Sequence, residues 1–409
     1  MDRRTFLAAL MAMSLPFPAF AQQCRDGASN AQDIDWLIAT MAARYAYLPD
    51  RHVDIEKLRR VYVAEAGAVC EPHAFLNVLE RLLAEFHDHH IEAKVNNSHS
   101  PQLVPSGTDV WAAMRGGKAL VEQVRPRSDA AKAGLRSGDE IVSIGGVAAK
   151  AAVEPHGPRC LSMPDPEADD YTLRILLAGT HDARRIFVSR DAAGKERAID
   201  LPSFVRPEFG APLTQMQMGR IGYIRVENAL GDGALVDAFD KAAVDLADST
   251  ALILDLRNTP SGGNTDVAEP ILGRFISHRS DYQRVFDPAP GKSFPKDSWV
   301  RSVEPRGPTI AQPLAVLVDR WTGSMGEGMA IGLDGLKRAT VVGTHMAGLC
   351  GATSDVTLPR SGIGVAFPTE RLYHLDTTPR DIWKPPQFVD PATPGDDPIL
   401  ARAVEILQG

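Results

Sequence analysis

Residues 313–328 read PLAVLVDRWTGSMGEG, and residues 251–264 read ALILDLRNTPSGGN. Each stretch begins with a nearly continuous apolar run, which is typical of a strand buried on both faces of a parallel sheet. A turn rich in Gly and Ser follows each run. Strand-like residues 221–226 and amphipathic, helical residues 234–246 alternate with them along the chain. This alternation predicts an α/β core, which we place at residues 207–409.

The turn after the first of these stretches carries a serine in a position suited to chemistry. Open α/β sheets bind ligands beyond the carboxyl ends of their strands, and Ser324 stands at such a strand-to-helix turn. A sharp turn exposes the hydroxyl, while the helix N-terminus and the Gly262–Gly263 turn offer N–H groups to an anion. Two such donors form an oxyanion hole, and each contributes about 2.7–4 kcal/mol to acyl transfer. The alternative is that Ser324 only caps the helix.

Both stretches are similar to motifs of the S41 serine peptidases, the family of the C-terminal processing proteases and the tricorn core. The family patterns are D-x-R-x-N-x-G-G and V-x-V-D-x-x-T-x-S-x-x-E, and further similarity lies in residues 338–343 and 358–362. The resemblance implies a ClpP/crotonase-like α/β core with Ser324 as nucleophile. It implies oxyanion donors at Met325 and at one of the two glycines. Glu327 matches the family's acidic residue three positions after the serine.

The general base is expected to be a histidine. Ser–Lys members of the family carry a lysine in the loop where this chain has Leu349, and Lys337 lies in a surface-like segment. The lysine-less branch, which includes tricorn, uses a histidine in an L-x-D-x-H segment, which residues 86–90 (FHDHH) resemble. His90 is therefore the predicted base, because an imidazole with a pKa of about 6.5 exchanges protons near neutral pH. His345 is the alternative base.

A carboxylate is expected to orient this base and to fix its tautomer. Glu370 is the first candidate and Asp381 the second, although the chain lacks the family's usual E-G-x-G-V-x-P-D segment in this region. The sequence of residues 87–90 is also compatible with a zinc site or with a solvated histidine cluster. No H-E-x-x-H spacing occurs, and adjacent helical residues point about 100° apart. We therefore expect no metal and no organic cofactor.

A second resemblance covers the middle of the chain. Residues 124–141, VRPRSDAAKAGLRSGDEI, are similar to the V-x-P-x-S-x-A-x-x-A-G-L-x-x-G-D-x-I pattern of PDZ domains in bacterial proteases. The resemblance implies a PDZ-like β-rich domain at residues 99–206. Such domains bind a C-terminal or extended peptide segment by strand addition. The alternative is a PDZ-shaped spacer that binds nothing.

Two details of this middle region are less regular. Residues 111–117 stand where a carboxylate-binding loop would lie, and they do not follow the usual glycine–hydrophobe pattern. Residues 171–177 are rich in aliphatic side chains and are expected to form a strand.

The first hundred residues contain an export signal and a helical region. Residues 1–21, MDRRTFLAALMAMSLPFPAFA, have a charged start, an apolar stretch and an A-x-A ending, which are typical of a signal peptide. Residues 3–7 resemble a twin-arginine signal, and an ordinary Sec signal is the alternative. The mature chain is expected in the periplasm or outside the cell, with no stable membrane span. Helix-period patterning over residues 30–95 predicts a helical N-terminal domain at residues 22–98.

Composition sets outer limits on function. The 409 residues include 44 Lys and Arg against 52 Asp and Glu, for a net charge of −8. The absence of a basic excess argues against a dedicated nucleic-acid binder. Four cysteines are too few for a disulfide scaffold, but an oxidising compartment favours the pairs Cys24–Cys70 and Cys160–Cys350. Four free thiols are the alternative.

Together these features predict a multidomain α+β protein with a helical domain, a PDZ-like domain and an α/β core. Its expected function is that of an exported serine endopeptidase that acts on protein or peptide substrates through an acyl-enzyme. The missing lysine and the irregular residues 376–386 keep a second hypothesis open, a catalytically inactive, protease-fold protein that binds peptides. A metal-dependent hydrolase is the third.

Overall fold

The computed structural model describes residues 27–409, so the predicted signal peptide and Cys24, with its pairing to Cys70, lie outside the described residues. Its class is the mixed α+β class expected from the sequence. Among residues 27–409, no helix combines the length and the apolar character needed to cross a membrane.

Three helices and a short strand open the described chain. Asp54 caps the second helix by accepting a hydrogen bond from the Lys57 amide at 2.9 Å, and Pro72 occupies the first turn of the third helix. Their facing side chains, which include Leu37 and Leu79, are fully buried. The elements are α1 (Gly27–Arg44), α2 (Ile55–Gly67), α3 (Pro72–Ala84) and β1 (Glu92–Ala93).

A β-rich region follows, and its five main strands form an antiparallel sheet in the order β2-β3-β4-β6-β7. Gly134 and Gly138 in the predicted turns have φ values of +88° and +89°, which glycine adopts without strain. The elements are β2 (Val110–Arg115), β3 (Lys118–Val124), α4 (Asp129–Lys132), β4 (Glu140–Ile144), β5 (Val147–Ala148), α5 (Ala149–Val153), α6 (Pro166–Ala178), β6 (Arg185–Arg190) and β7 (Glu196–Leu201).

Two expectations for this region were wrong. Residues 171–177 lie in the helix α6, because Asp165 caps its first turn and Pro166 begins it, which favours a helix over a strand. Residues 111–115 belong to the strand β2, and the turn at residues 116–117 joins it to β3.

The core contains a six-stranded sheet in the order β17-β14-β13-β10-β9-β8, in which all strands but β8 are parallel. A second sheet is built around β16, which pairs with β1, β11 and β15. The elements are β8 (Leu213–Met218), β9 (Ile221–Val226), α7 (Ala234–Asp245), β10 (Ala251–Asp255), α8 (Thr265–Leu272), β11 (Ser280–Phe286), β12 (Trp299–Val303), β13 (Leu314–Val318), α9 (Met325–Gly335), β14 (Thr340–Gly343), β15 (Ala352–Thr357), β16 (Gly364–Tyr373), β17 (Gln387–Phe388) and α10 (Pro398–Gln408).

The parallel pairing of β10 with β13 brings the two glycine-rich turns together. Leu254 pairs with Val316, so both strands end at the same edge of the sheet. Beyond that edge the Thr259 amide donates to the Trp321 carbonyl at 3.1 Å, and the Gly323 amide donates to the Thr259 carbonyl at 3.2 Å. The turns are therefore joined by main-chain hydrogen bonds.

Main-chain pairing also attaches the N-terminal helices to the core. Glu92 of β1 pairs with Ala366 of β16, and the Ala46 amide donates to the Pro368 carbonyl at 3.0 Å. The loop between α3 and β1, which carries the four residues HDHH, is thus held against the core from its C-terminal side.

The β-rich region contacts the core beside the serine turn. The Arg320 guanidinium, directly after Asp319, donates to Glu122 Oε2 at 2.7 Å and to the Met346 carbonyl at 3.0 Å. Since Arg320 belongs to the turn that leads to Ser324, the β-rich region buttresses this turn.

Side chains of α6 cover the free edge of β2. The Met114 amide donates to Asp170 Oδ1 at 2.6 Å, and Arg174 Nε donates to the Ala112 carbonyl at 3.0 Å. These are main-chain groups of the kind that an added peptide strand would use. The edge is therefore already hydrogen-bonded within the chain.

The expected Cys160–Cys350 disulfide is not formed, and that prediction was wrong. Both thiols are free and buried within the packed interior of the helical region. Cys350 Sγ instead accepts a hydrogen bond from Arg51 Nη2 at 3.1 Å.

The stability of the core sheet offers a direct test of this packing. Leu254 is 1% exposed, so Leu254→Ala should lower the free energy of unfolding by about 2–5 kcal/mol through lost burial and a cavity. Val244→Ala on α7 is the matched control, because Val244 is 71% exposed, and it should change stability by no more than about 0.5 kcal/mol. Urea unfolding of both variants measures the difference, and equal losses would contradict the buried position of Leu254.

Candidate active site

Ser324 has a backbone conformation that is unusual for a serine. Its φ is +48°, in the left-handed region, and it directly precedes α9. Such strain persists only where the surroundings hold it, and it is common at active sites. The residue is partly exposed, whereas both its neighbours are buried. The turn therefore presents the serine while fixing the chain on either side.

The opposing turn fits closely against this serine. At Gly262, where φ is +64°, a Cβ atom would lie 2.4 Å from Ser324 Cβ and 2.9 Å from Ser324 Oγ. At Gly326, in the first turn of α9, a Cβ would lie 2.2 Å from Thr259 Oγ1. Glycine is therefore required at both places for the two turns to approach.

The turns also contain uncommitted main-chain donors. Met325 is the first residue of α9, and the first N–H groups of a helix have no acceptor within it. The Gly262 amide donates to the Thr259 carbonyl at 3.0 Å, whereas the Gly263 amide has no acceptor within residues 27–409. Of the two glycines, Gly263 is thus the one with an N–H free for a ligand.

Glu327 is fully buried and holds two segments by their amides. Its Oε2 accepts from the Ser324 amide at 2.8 Å and from the Leu349 amide at 3.2 Å, and its Oε1 accepts from the Gly348 amide at 2.8 Å. Burial raises the pKa of Glu327 to about 7, against the opposing effects of the Arg380 charge and of these donors. The carboxylate therefore ties the serine turn to the loop of residues 348–351.

The same loop anchors His90. His90 Nδ1 lies 2.5 Å from the Cys350 carbonyl oxygen, so Nδ1 carries the proton and donates it. The His90 amide donates to Asp88 Oδ1 at 2.9 Å, and the Tyr45 hydroxyl donates to Asp88 Oδ2 at 2.8 Å. These contacts leave Nε2 as the basic nitrogen of the ring.

The charge state of His90 also suits a base. Burial, followed by the nearby positive charge of Arg380, lowers the pKa of His90, while Asp88 and the Cys350 carbonyl act in the opposite direction. The ring is therefore neutral at neutral pH. Within residues 27–409 no hydrogen bond joins His90 to Ser324, and such bonds are often long in unliganded enzymes.

The expected carboxylate partner of His90 is replaced by a carbonyl. Glu370 makes no hydrogen bond to His90 within residues 27–409; the ring nitrogen Nδ1 is bound by the Cys350 carbonyl. Asp381 makes no hydrogen bond to His90 either, and its Oδ1 is buried without a partner in the described chain. The Cys350 carbonyl fixes the tautomer, and a main-chain group gives no signal in a sequence.

The other histidines of the segment have separate partners. His87 Nε2 lies 2.9 Å from Asp165 Oδ2, and His89 stacks on Tyr171 with the ring centres 4.5 Å apart. Residues 27–409 contain no group of three or more His, Cys, Asp or Glu side chains placed to hold a metal ion. His345 contacts the Phe388 ring with the centres 5.2 Å apart.

This chain has an apolar residue, Leu349, at the position where the Ser–Lys enzymes carry their lysine. Leu349 is buried, and its Cδ1 lies within 3.3 Å of where a Cβ on Gly323 would be. Lys337 is exposed beyond the end of α9. Sequence reasoning missed Arg380, a buried residue that donates to the Ser324 carbonyl at 3.3 Å, because it lies outside any motif.

Comparisons with known proteins agree with this geometry. Residues 220–381 match the model of Peptidase family S41. No curated protein matches the chain. Among solved structures, the photosystem II D1 C-terminal processing protease is 21% identical with a TM-score of 0.56, and the match covers 93% of this chain and 97% of that one. Mature CPAF is 14% identical with a TM-score of 0.60 and coverages of 93% and 96%.

A third structure, a putative peptidase from Parabacteroides merdae, is 15% identical with a TM-score of 0.50 and coverages of 95% and 97%. At such identities the structural likeness shows the fold alone. The family match adds a likeness in sequence, and its range contains both glycine-rich turns and Ser324. Residues 220–381 thus match the model of peptidase family S41, and this match, together with the shared fold, supports a serine-type peptidase.

Proposed function

We propose that the protein is an exported serine endopeptidase that cleaves protein or peptide substrates through an acyl-enzyme. Ser324 is the nucleophile, His90 the general base, and Met325 and Gly263 the oxyanion donors. One observation carries the proposal: Glu327 binds the Ser324 amide and two amides of the loop at residues 348–351, and this loop holds His90 Nδ1. The serine and the basic histidine are thus attached to one short segment.

Acylation uses only groups of this chain. Ser324 Oγ attacks the scissile carbonyl carbon as its proton passes to His90 Nε2. The carbonyl oxygen becomes an oxyanion, which the Met325 and Gly263 amides stabilise. When the C–N bond breaks, His90 Nε2 gives the proton to the leaving amine and an ester remains on Ser324. The Cys350 carbonyl keeps its hydrogen bond to Nδ1–H and stabilises the imidazolium.

Deacylation uses the same proton acceptor, His90 Nε2, with water in place of the serine hydroxyl. A water molecule attacks the ester while its proton passes to His90 Nε2, and the second oxyanion forms at the same donors. Collapse releases the carboxylic acid product and returns the proton to Ser324 Oγ. No step calls for a metal or an organic cofactor.

Export is part of the proposal and rests on the sequence of residues 1–21. It places the enzyme in the periplasm or outside the cell. Cys160 and Cys350 are both buried, so an oxidising compartment does not conflict with their free state.

The rival hypothesis of an inactive peptide-binding protein receives less support. Strand addition at the PDZ-like region would use β2, whose edge is occupied by Asp170 and Arg174. A C-terminal segment would have to displace both side chains. We propose that substrates reach the active site without first binding at β2.

Replacement of the nucleophile is the primary test. Ser324→Ala should abolish hydrolysis of an unfolded protein such as reduced casein, because no other group can form the ester. Ser277→Ala is the matched control at an exposed serine and should retain full activity. Fluorescence release from labelled casein measures both variants, and full activity in Ser324→Ala would refute the assignment.

Replacement of the base separates the two candidate histidines. His90→Ala should lower kcat by about 10²–10⁴-fold, the usual contribution of a general base. His345→Ala should have little effect, since its ring packs on Phe388. In the wild type, kcat/KM should fall as the pH drops through a pKa below about 6.5, because only neutral His90 accepts the proton. A larger loss in His345→Ala than in His90→Ala would reverse the assignment.

The covered edge of β2 gives a test of the peptide-binding alternative. The wild type should not bind labelled decapeptides with free apolar C-termini, whereas the double variant Asp170→Ala/Arg174→Ala should bind them, because it frees the Met114 amide and the Ala112 carbonyl. Arg184→Ala/Asp200→Ala removes a comparable but exposed pair and should bind none. Fluorescence anisotropy reports binding, and tight binding by the wild type would favour a peptide receptor.

A further inference from the structure

Arg380 is a buried arginine whose hydrogen bonds converge on the active site. It is 3% exposed. Its Nη2 donates to the Leu349 carbonyl at 2.9 Å and to the Gly351 carbonyl at 2.7 Å, and its Nη1 donates to the Ser324 carbonyl at 3.3 Å. One guanidinium therefore joins the serine turn to the loop that holds His90.

Glu327 makes the complementary set of contacts. It accepts from the amides of Ser324, Gly348 and Leu349, so the two charged side chains bind opposite main-chain groups of the same two segments. The positive charge of Arg380 is also the largest influence that opposes the raised pKa of Glu327. We call these two residues with their main-chain partners the Arg380–Glu327 clamp.

The clamp reaches His90 through a single residue. Arg380 binds the carbonyls of Leu349 and Gly351, and Cys350 stands between them. The Cys350 carbonyl accepts the Nδ1–H of His90 at 2.5 Å. Fixing both neighbours fixes the direction of this carbonyl, and through it the plane of the imidazole.

We propose that Arg380 is a positioning residue for catalysis. It fixes the position of Ser324 relative to the Cys350 carbonyl, so that His90 Nε2 faces the nucleophile. This role rests on the proposed function. Arg380 is not itself the base, because a guanidinium stays protonated in proteins. Its planar guanidinium donates to three carbonyls at once. The ammonium of a lysine, on a more flexible side chain, would hold these carbonyls less rigidly.

The charge of Arg380 has a second consequence for His90. The charged groups around His90 are Asp88 and Glu92 on its own segment and Arg380 from the core, beside the neutral Cys350 thiol. Burial is the main cause of the lowered pKa of His90; Arg380 lowers it further, and the two carboxylates raise it. Removing the cation therefore favours imidazolium and moves the loss of activity at low pH to a higher pH.

Two variants separate geometry from charge. Arg380→Lys keeps the positive charge but loses the planar set of guanidinium donors, so kcat should fall about 10–100-fold. KM and the pH at which half of the activity is lost should stay near the wild-type values. Arg380→Gln loses both, so kcat should fall at least as far and the half-loss should move to higher pH. Arg402→Gln, at an exposed arginine of α10, is the control and should change neither quantity.

A measurement without turnover keeps this inference separate from the proposed function. In Ser324→Ala protein with isotope-labelled histidine, NMR titration should show a higher His90 pKa after Arg380→Gln and an unchanged value after Arg380→Lys. His374, whose Nε2 lies 3.1 Å from Asp334 Oδ2 and whose Nδ1 lies 2.9 Å from Asp376 Oδ1, serves as the internal reference. The wild-type protein could fail to hydrolyse any substrate while the His90 pKa still shifts after Arg380→Gln. In that case the proposed function fails, and the influence of Arg380 on His90 stands.

The opposite outcomes overturn the inference. An Arg380→Gln enzyme with wild-type kcat and an unchanged pH profile would show that Arg380 has no role in positioning. A uniform loss of folded protein in Arg380→Lys and Arg380→Gln, with normal kcat and His90 pKa in the folded remainder, would show a purely structural role.

Discussion

The parallel pairing of β10 with β13 is the constraint on which the active site depends. It ends two buried strands at one edge of the sheet and forces their turns together. The closest approach, at Gly262 against Ser324, leaves no room for a Cβ. The left-handed backbone of Ser324 is maintained by this contact and by Glu327, which accepts from the Ser324 amide. The strained backbone of Ser324 is thus held in place by the turns that follow the buried strands β10 and β13.

The proposed base, His90, comes from a distant part of the sequence, and its position depends on a different set of hydrogen bonds. β1 pairs with β16 and ends the loop that carries His90, while the Cys350 carbonyl fixes the ring. Tyr45 and Asp88 hold the main chain of this loop from the helical side. Catalysis in this account requires the N-terminal helices to be docked on the core, because neither part contains both reacting groups. The β-rich region adds support through Glu122 and Arg320.

The core strands and the serine turn could be predicted because their signals are local. A continuous apolar run predicts a buried strand, and a glycine-rich turn at its end predicts a ligand site. The helix α6 was predicted as a strand because a short apolar segment fits the helical and the strand periodicity alike, and tertiary contacts decide between them. Residues 111–115 were expected in a loop, and the structure places them in the strand β2. The anchor of His90 and the contacts of Arg380 could not be predicted, since both use main-chain carbonyls that every residue possesses. Glu370 shows the converse, because its place in the sequence suggested a role as the partner of His90, and the Cys350 carbonyl holds that position instead.

Chemical labelling of the nucleophile tests the central claim most directly. A fluorophosphonate reacts with a serine only when a base activates it and an oxyanion hole receives the phosphoryl oxygen. Peptide mapping by mass spectrometry after brief exposure of the folded protein should find one adduct, on Ser324, and His90→Ala should slow its formation. An unmodified Ser324 in folded protein, or an adduct on another serine, would contradict the account.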